Sequence, residues 1–260
     1  MRAASSILDA EHAKQSVRDY WEAEPCGSHR ASAEPGTTSY FEQVERARYE
    51  LEPFIPEFAQ FEHWRGRDVL EVGVGMGTDF VRFARAGARL RGIDLTQAAV
   101  DNARRRLALE GLEADVERGD AEALAFEDHS FDLVYSWGVL HHTPHTETAI
   151  AEIRRVLRPG GEARIMLYSR RSWVALGSWA HHALLKGHPW RTFGDVLASN
   201  MESPGTKAYT ARELKQLFAD FASVELQRYL TPHDRRVGGP VARIAGSRFG
   251  WFVGVVAVPA

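Results

Sequence analysis

From residue 68 onward the chain alternates between two kinds of pattern. Short runs rich in β-branched and apolar residues (DVLEVGV, RLRGIDL, ADVERGD, FDLVYSWG and GEARIMLYS) are separated by stretches whose apolar residues recur every three to four positions, such as QAAVDNARRRLALE and ETAIAEIRRVL. That alternation predicts a largely parallel sheet with helices on both faces, the α/β class. Ahead of it, residues 7–22 read as a polar amphipathic helix, and AEPCGSHRASAEPGTTS carries too much Pro, Gly and Ser for regular structure. We therefore divide the chain into an N-terminal helical lid over residues 1–62 and a main domain over residues 63–260. After the fifth run comes a long insertion, residues 170–209, with aromatic and helical pieces. Then TARELKQLFADF opens with Thr210 and has Glu213 three positions on, a capping box that starts a helix. ASVELQRYL and RFGWFVGVVAV complete seven strand-like runs.

Composition narrows the class of protein. A chain of 260 residues with 44% hydrophobic content can bury one substantial core, so one α/β domain with decorations is expected. The formal charge of −3 lacks the basic balance that nucleic-acid binding favours. Cys26 is alone, which excludes a disulfide framework or a cysteine-rich metal site within the chain and suits a reducing compartment. The opening MRAASSILDAEHAKQ lacks the apolar core of a signal peptide, and no run of about 18 apolar residues occurs. The sequence thus predicts a cytoplasmic protein without a transmembrane segment, and it leaves room for a homodimer.

The candidate chemistry begins at EVGVGMGTDF. The dinucleotide fingerprint G-x-G-x-x-G would place its third glycine where Thr78 stands, which weakens an NAD reading. Gly73, Gly75 and Gly77 let the backbone turn tightly after a strand and approach a ligand closely. Asp94 falls at the end of the second run, 21 residues after Gly73, where a carboxylate can accept from both ribose hydroxyls of an adenosine. Asp120, closing the third run, is placed to accept from an adenine amino group. Glu71 adds an acid suited to a ligand carrying an ammonium rather than a pyrophosphate.

Taken together, Glu71-x-Gly73-x-Gly75-x-Gly77, Asp94, Asp120-Ala121, FDLVYSWGVLHHTPH and EIRRVLRPGG resemble the class I S-adenosylmethionine-dependent methyltransferases, specifically those acting on small molecules. The resemblance runs over residues 68–169. It implies a Rossmann-like, doubly wound seven-stranded sheet in the order 3-2-1-4-5-7-6, with the last strand antiparallel. It further implies that Gly73 and Gly75 border the methionine part of S-adenosylmethionine, that Asp94 binds the ribose, that Leu95 and Ala121 flank the adenine, and that Asp120 reads its amino group. Ser136 and Trp137 are expected to line the cofactor past the fourth strand, and Tyr20 and Tyr49 of the lid to reach the cleft.

The reaction implied is an in-line displacement in which an oxygen, nitrogen or carbon nucleophile of a small acceptor takes the sulfonium methyl. His141 and His142 of LHHTPH are the candidate bases, with His142 preferred, because imidazole titrates near neutrality and adjacent side chains point apart. A metal site is not expected, since Pro144 interrupts a helical presentation of the histidines. Residues 163–194 contain no Asp or Glu but carry Arg164, Arg170, Arg171, Lys186 and Arg191 with Trp173, Trp179 and Trp190. That basic, aromatic cap predicts an apolar or aromatic acceptor bearing an anionic group; a solvated basic face and attachment to anionic lipid are the competing readings. Beside the enzyme stand two other functions: a cofactor-binding regulatory subunit without turnover, and an NAD-dependent oxidoreductase.

Overall fold

The computed structural model describes residues 2–260, with side chains from Ala10 onward. Four parallel strands come first: β1 (Asp68–Val72), β2 (Arg89–Asp94), β3 (Asp115–Arg118) and β4 (Phe131–Trp137). β5 (Leu157–Tyr168) continues the parallel set, β6 (Phe221–Tyr229) follows, and β7 (Phe252–Pro259) runs antiparallel between β5 and β6. The sheet order is β3-β2-β1-β4-β5-β7-β6, as the resemblance implies. Residue alternation sorts side chains to two faces: Val69, Leu133, Tyr135 and Trp137 join one core, while Leu70, Val72 and Val134 join the other.

Helices cover both faces. α1 (Arg2–Ala23), α2 (Thr38–Leu51) and α3 (Ile55–Ala59) precede the sheet; α4 (Thr78–Ala86), α5 (Gln97–Glu110) and α6 (Thr146–Val156) connect its parallel strands. α5 shows why such segments start and stop where they do: Thr96 Oγ1 accepts from the Ala99 amide, and Gly111 ends the helix in the left-handed region at φ 63°. The insertion folds as α7 (Trp173–Trp179), a π-helical turn over Ala180–Leu184, and α8 (Phe193–Asn200). α9 (Ala211–Leu217) begins with the expected capping box between Thr210 and Glu213. The sequence pattern gives no warning of α10 (Pro232–Ala245), because Gly239 and Pro240 break its periodicity; the helix kinks at Gly239. The supposed coil after α1 contains one short 3-10 turn, Ser28–Arg30.

Candidate functional site

At the carboxyl edge of β1 the chain turns through Gly73, Gly75 and Gly77, all with positive φ. A Cβ at Gly73 would lie 2.1 Å from the Val139 side chain, so only glycine permits this path. The Gly75 amide donates to Asp94 Oδ2 at 3.0 Å, tying the turn to the end of β2. Asp94 Oδ1 accepts from the Thr96 amide and hydroxyl at 3.0 and 2.8 Å. Burial, the larger influence, still raises the Asp94 pKa above the usual carboxylate range.

Behind the turn lies a buried acidic cluster. Asp79, in the first turn of α4, accepts from Arg48 at 2.6 Å, from the Tyr49 hydroxyl at 2.9 Å and from the Tyr135 hydroxyl at 2.9 Å. Glu71 is buried beside it, and its Oε2 has no partner among the described residues. Desolvation first, and the Asp79 charge second, push the Glu71 pKa well above the ordinary range. Glu52 accepts from the Trp137 indole at 2.7 Å and is likewise raised by burial.

These groups open onto one cavity of about 360 Å³, within the usual range for small-molecule sites. Its walls come from the whole carboxyl edge. Glu71, Gly73, Gly75, Asp94, Leu95, Asp120 and Ala121 line the half built by β1, β2 and β3. Trp137, Tyr168 and Phe252 line the half built by β4, β5 and the start of β7. Seven carboxyl side chains border it against three Lys or Arg side chains, a balance that favours a cationic ligand over a pyrophosphate.

α1 closes the acidic half. Lys14 Nζ lies 2.6 Å from Asp120 and 3.0 Å from Glu122, while Glu22 accepts from the amides of Gln97 and Ala98 at 2.9 and 3.0 Å. Glu22 thus caps α5 from outside, a carboxylate at a helix N-terminus. Tyr20 and Trp21 of the same helix line the cavity.

Several predicted positions lie elsewhere. Ser136 is fully buried, donates to the Val72 carbonyl at 2.9 Å and does not reach the cavity wall. Tyr49 is likewise outside the wall, its hydroxyl committed to Asp79. The two histidine rings do not point apart as expected but lie side by side, centroids 4.2 Å apart; His142 lines the cavity, whereas His141 is buried with its ring centroid 3.7 Å from that of Tyr168 and neither nitrogen partnered among the described residues. His141 therefore has no route to an acceptor. Arg170 pairs with Glu213 at 3.1 Å and donates to the Ala208 carbonyl; Arg171 lies over Phe249. Neither borders the cavity, so the anion-binding role expected of them lacks a geometric basis.

His142 is held by residues of the insertion. Nδ1 lies 2.7 Å from the Ser203 hydroxyl and 3.1 Å from that of Thr206. Thr206 donates its proton to the Ser203 carbonyl at 2.7 Å, so toward Nδ1 it can only accept. Nε2 has no hydrogen-bond partner among the described residues and lies 3.8 Å from Glu202 Oε2. Burial, with a smaller effect of Lys207, lowers the His142 pKa to about 3, so the ring is neutral at ordinary pH. Sequence reasoning missed Arg48, Asp79, Lys14, Glu202, Ser203 and Lys207. Asp79 alone left a signal, as an acid directly after the glycine turn; Lys207 donates to the Thr143 and Pro144 carbonyls, 64 and 63 positions away, at 2.5 and 2.6 Å. Among the described residues no group of three or more His, Cys, Asp or Glu is arranged to hold a metal ion.

This sheet order and acid-lined glycine turn define a class of protein, and comparison with known proteins agrees. Residues 69–161 match the Methyltransf_25 family, a methyltransferase domain. Residues 69–161, which carry the glycine turn, Asp94 and Asp120, are thus a methyltransferase domain of the class I S-adenosylmethionine-dependent type. Among curated relatives, the chain is 35% identical over 183 residues to phthiotriol/phenolphthiotriol dimycocerosates methyltransferase 1 of Mycobacterium ulcerans, covering 68% of this chain and 62% of that protein. It is 36% identical over 98 residues to the ubiquinone biosynthesis O-methyltransferase of Nitrosococcus oceani, covering 37% and 42%. The chain thus spans less than two thirds of either relative. The magnesium protoporphyrin IX methyltransferase of Synechocystis, solved with bound S-adenosylhomocysteine, superimposes with a TM-score of 0.61 at 15% identity over 95% of this chain and all of that one, at 100%. No helix among the described residues is long and apolar enough to cross a membrane.

Proposed function

We propose that this protein transfers a methyl group from S-adenosylmethionine to a small, largely apolar acceptor. The observation that carries the reading is the single cavity that runs from the acidic glycine turn to an aromatic chamber over β4, β5 and β7. The fit to the cofactor rests on three features: a path that only Gly73 allows, an unpartnered buried oxygen on Glu71, and carboxylates at the ends of β2 and beyond β3. Glu71 would receive the ammonium, Asp94 the ribose, and Asp120 the adenine amino group, with Leu95 and Ala121 against the ring. When bound, S-adenosylmethionine supplies a methyl group on a positively charged sulfur that a nucleophile displaces in line.

The chain's own residues orient the acceptor and exclude water. Trp137, Tyr168 and Phe252 give an apolar wall, and α1 with Tyr20 and Trp21 forms a lid above it. Holding two reactants in line in a dry site accounts for roughly 7–11 kcal/mol of a barrier in favourable cases. His142 offers Nε2 as a hydrogen-bond partner for a hydroxyl or amine on the acceptor. Its lowered pKa makes it an orienting group before it is a strong base, so the rate should show no titration near pH 6.5 that is lost on His142→Gln.

The test uses methyl-labelled S-adenosylmethionine and a panel of apolar phenols, alcohols and amines, with product recovered by solvent extraction. Label in an extracted acceptor, reduced at least about tenfold in rate by His142→Ala with unchanged cofactor affinity, supports the reading. Cofactor binding with no transfer to any acceptor class would favour a regulatory subunit instead.

A further inference from the structure

The exposed large apolar side chains of this protein are not scattered. Of nine among the described residues, eight fall between residues 176 and 249, and only Leu109 lies elsewhere. Leu176, Leu184, Leu185 and Trp190 come from α7 and the turn after it; Leu185 is 77% exposed and Trp190 74%. Val237, Val241, Ile244 and Phe249 come from α10 and the turn that follows; Ile244 is 87% exposed. The two segments pack together. A Cβ on Gly177 would meet Val237 at 2.6 Å, and one on Gly238 would meet Trp173 at 2.7 Å, so glycines bring α7 and α10 into close contact. They present one surface.

Charge on that surface is equally one-sided. Residues 163–194 and 235–260 contain no Asp or Glu. Arg171 and Lys186 are exposed in the first segment, and Arg235, Arg236, Arg243 and Arg248 in the second. None of the six forms an ion pair among the described residues, and neither segment holds an acid of its own to pair with them. A chain of formal charge −3 thus exposes most of its large apolar side chains in segments whose own charges are all basic.

We propose that the α7–α10 face is a docking surface for an anionic lipid bilayer. Apolar side chains that include a tryptophan, interspersed with unpaired arginines, suit the headgroup boundary of a membrane with negative lipids. A second copy of the chain is a poor occupant, because a two-fold contact would set six unpaired cations against six. Pro232 and His233, which open α10, line the cavity, so the face is continuous with its mouth. An acceptor dissolved in the bilayer would then enter the aromatic chamber without crossing water. That last step rests on the proposed methyl transfer; docking itself does not.

The test is sedimentation of the full chain with vesicles of phosphatidylcholine alone or mixed with phosphatidylglycerol, without cofactor, at low and high salt. Binding to the mixed vesicles, at least tenfold weaker on pure phosphatidylcholine and at high salt, is expected. The double substitution Leu185→Asp with Ile244→Asp, and separately Arg235→Gln with Arg236→Gln and Arg243→Gln, should each weaken it at least tenfold while S-adenosylhomocysteine binding stays at the wild-type level. Absence of vesicle binding, equal binding by the variants, or a wild-type dimer that Leu185→Asp with Ile244→Asp converts to monomer would overturn the proposal. None of these readouts involves turnover, so failure of the methyl-transfer reading would register separately.

Discussion

Glu71 is a buried carboxyl group whose second oxygen has no protein partner, next to the negative charge of Asp79. Its pKa lies above the usual range, so in the ligand-free protein it holds a proton where an ordinary glutamate would not. An ammonium placed against it would favour the ionised form, and binding would release that proton. The sign follows: affinity for S-adenosylhomocysteine should rise with pH up to the free-protein pKa of Glu71 and level off above it. Calorimetry in buffers of different ionisation heat should detect a released proton for wild type and none for Glu71→Gln. At this scale the sequence was most informative about groups on strand ends. Glu71, Asp94 and Asp120 could be placed because a strand run followed by a turn locates its last side chains at one edge of the sheet. Ser136 and Tyr49 could not, because which face of a strand or helix looks into a cavity depends on neighbours distant in the chain. His142 shows the same limit: its position was legible, but not its depressed pKa, which comes from burial beneath an insertion with no periodic pattern.

At the scale of elements, the lid is a strap with two fastenings. Lys14 reaches Asp120 and Glu122, and Glu22 caps α5, so α1 spans the edge where β2 and β3 end. Losing the cap should cost about 1 kcal/mol of stability in Glu22→Ala, the scale for a helix N-cap. Because the same contact holds the lid over Asp94, the substitution should also speed hydrogen exchange in residues 10–23, readable by mass spectrometry; unchanged exchange there would show that α1 is held by other contacts. The five runs from β1 to β5, with α5, α6 and the capping box at Thr210, were visible from local periodicity and cap chemistry. α10 was not, since Gly239 and Pro240 interrupt its pattern, nor were the partners of α1, which are backbone amides and carboxylates 75 or more positions away.

For the whole molecule, the sheet gathers residues of both halves along one edge, so that one cavity has an acidic half and an aromatic half. The insertion and the kinked α10 complete the aromatic half and carry the basic, apolar outer face. The central claim, that the acidic half holds S-adenosylmethionine, is tested most directly by titrating S-adenosylhomocysteine and NAD into the protein by calorimetry, with Asp94→Ala alongside. The account predicts one molecule of S-adenosylhomocysteine bound per chain at micromolar affinity, weakened by at least ~1.5–3 kcal/mol in Asp94→Ala, and no NAD binding. Tight binding of NAD with none of S-adenosylhomocysteine, or full affinity in Asp94→Ala, would contradict it.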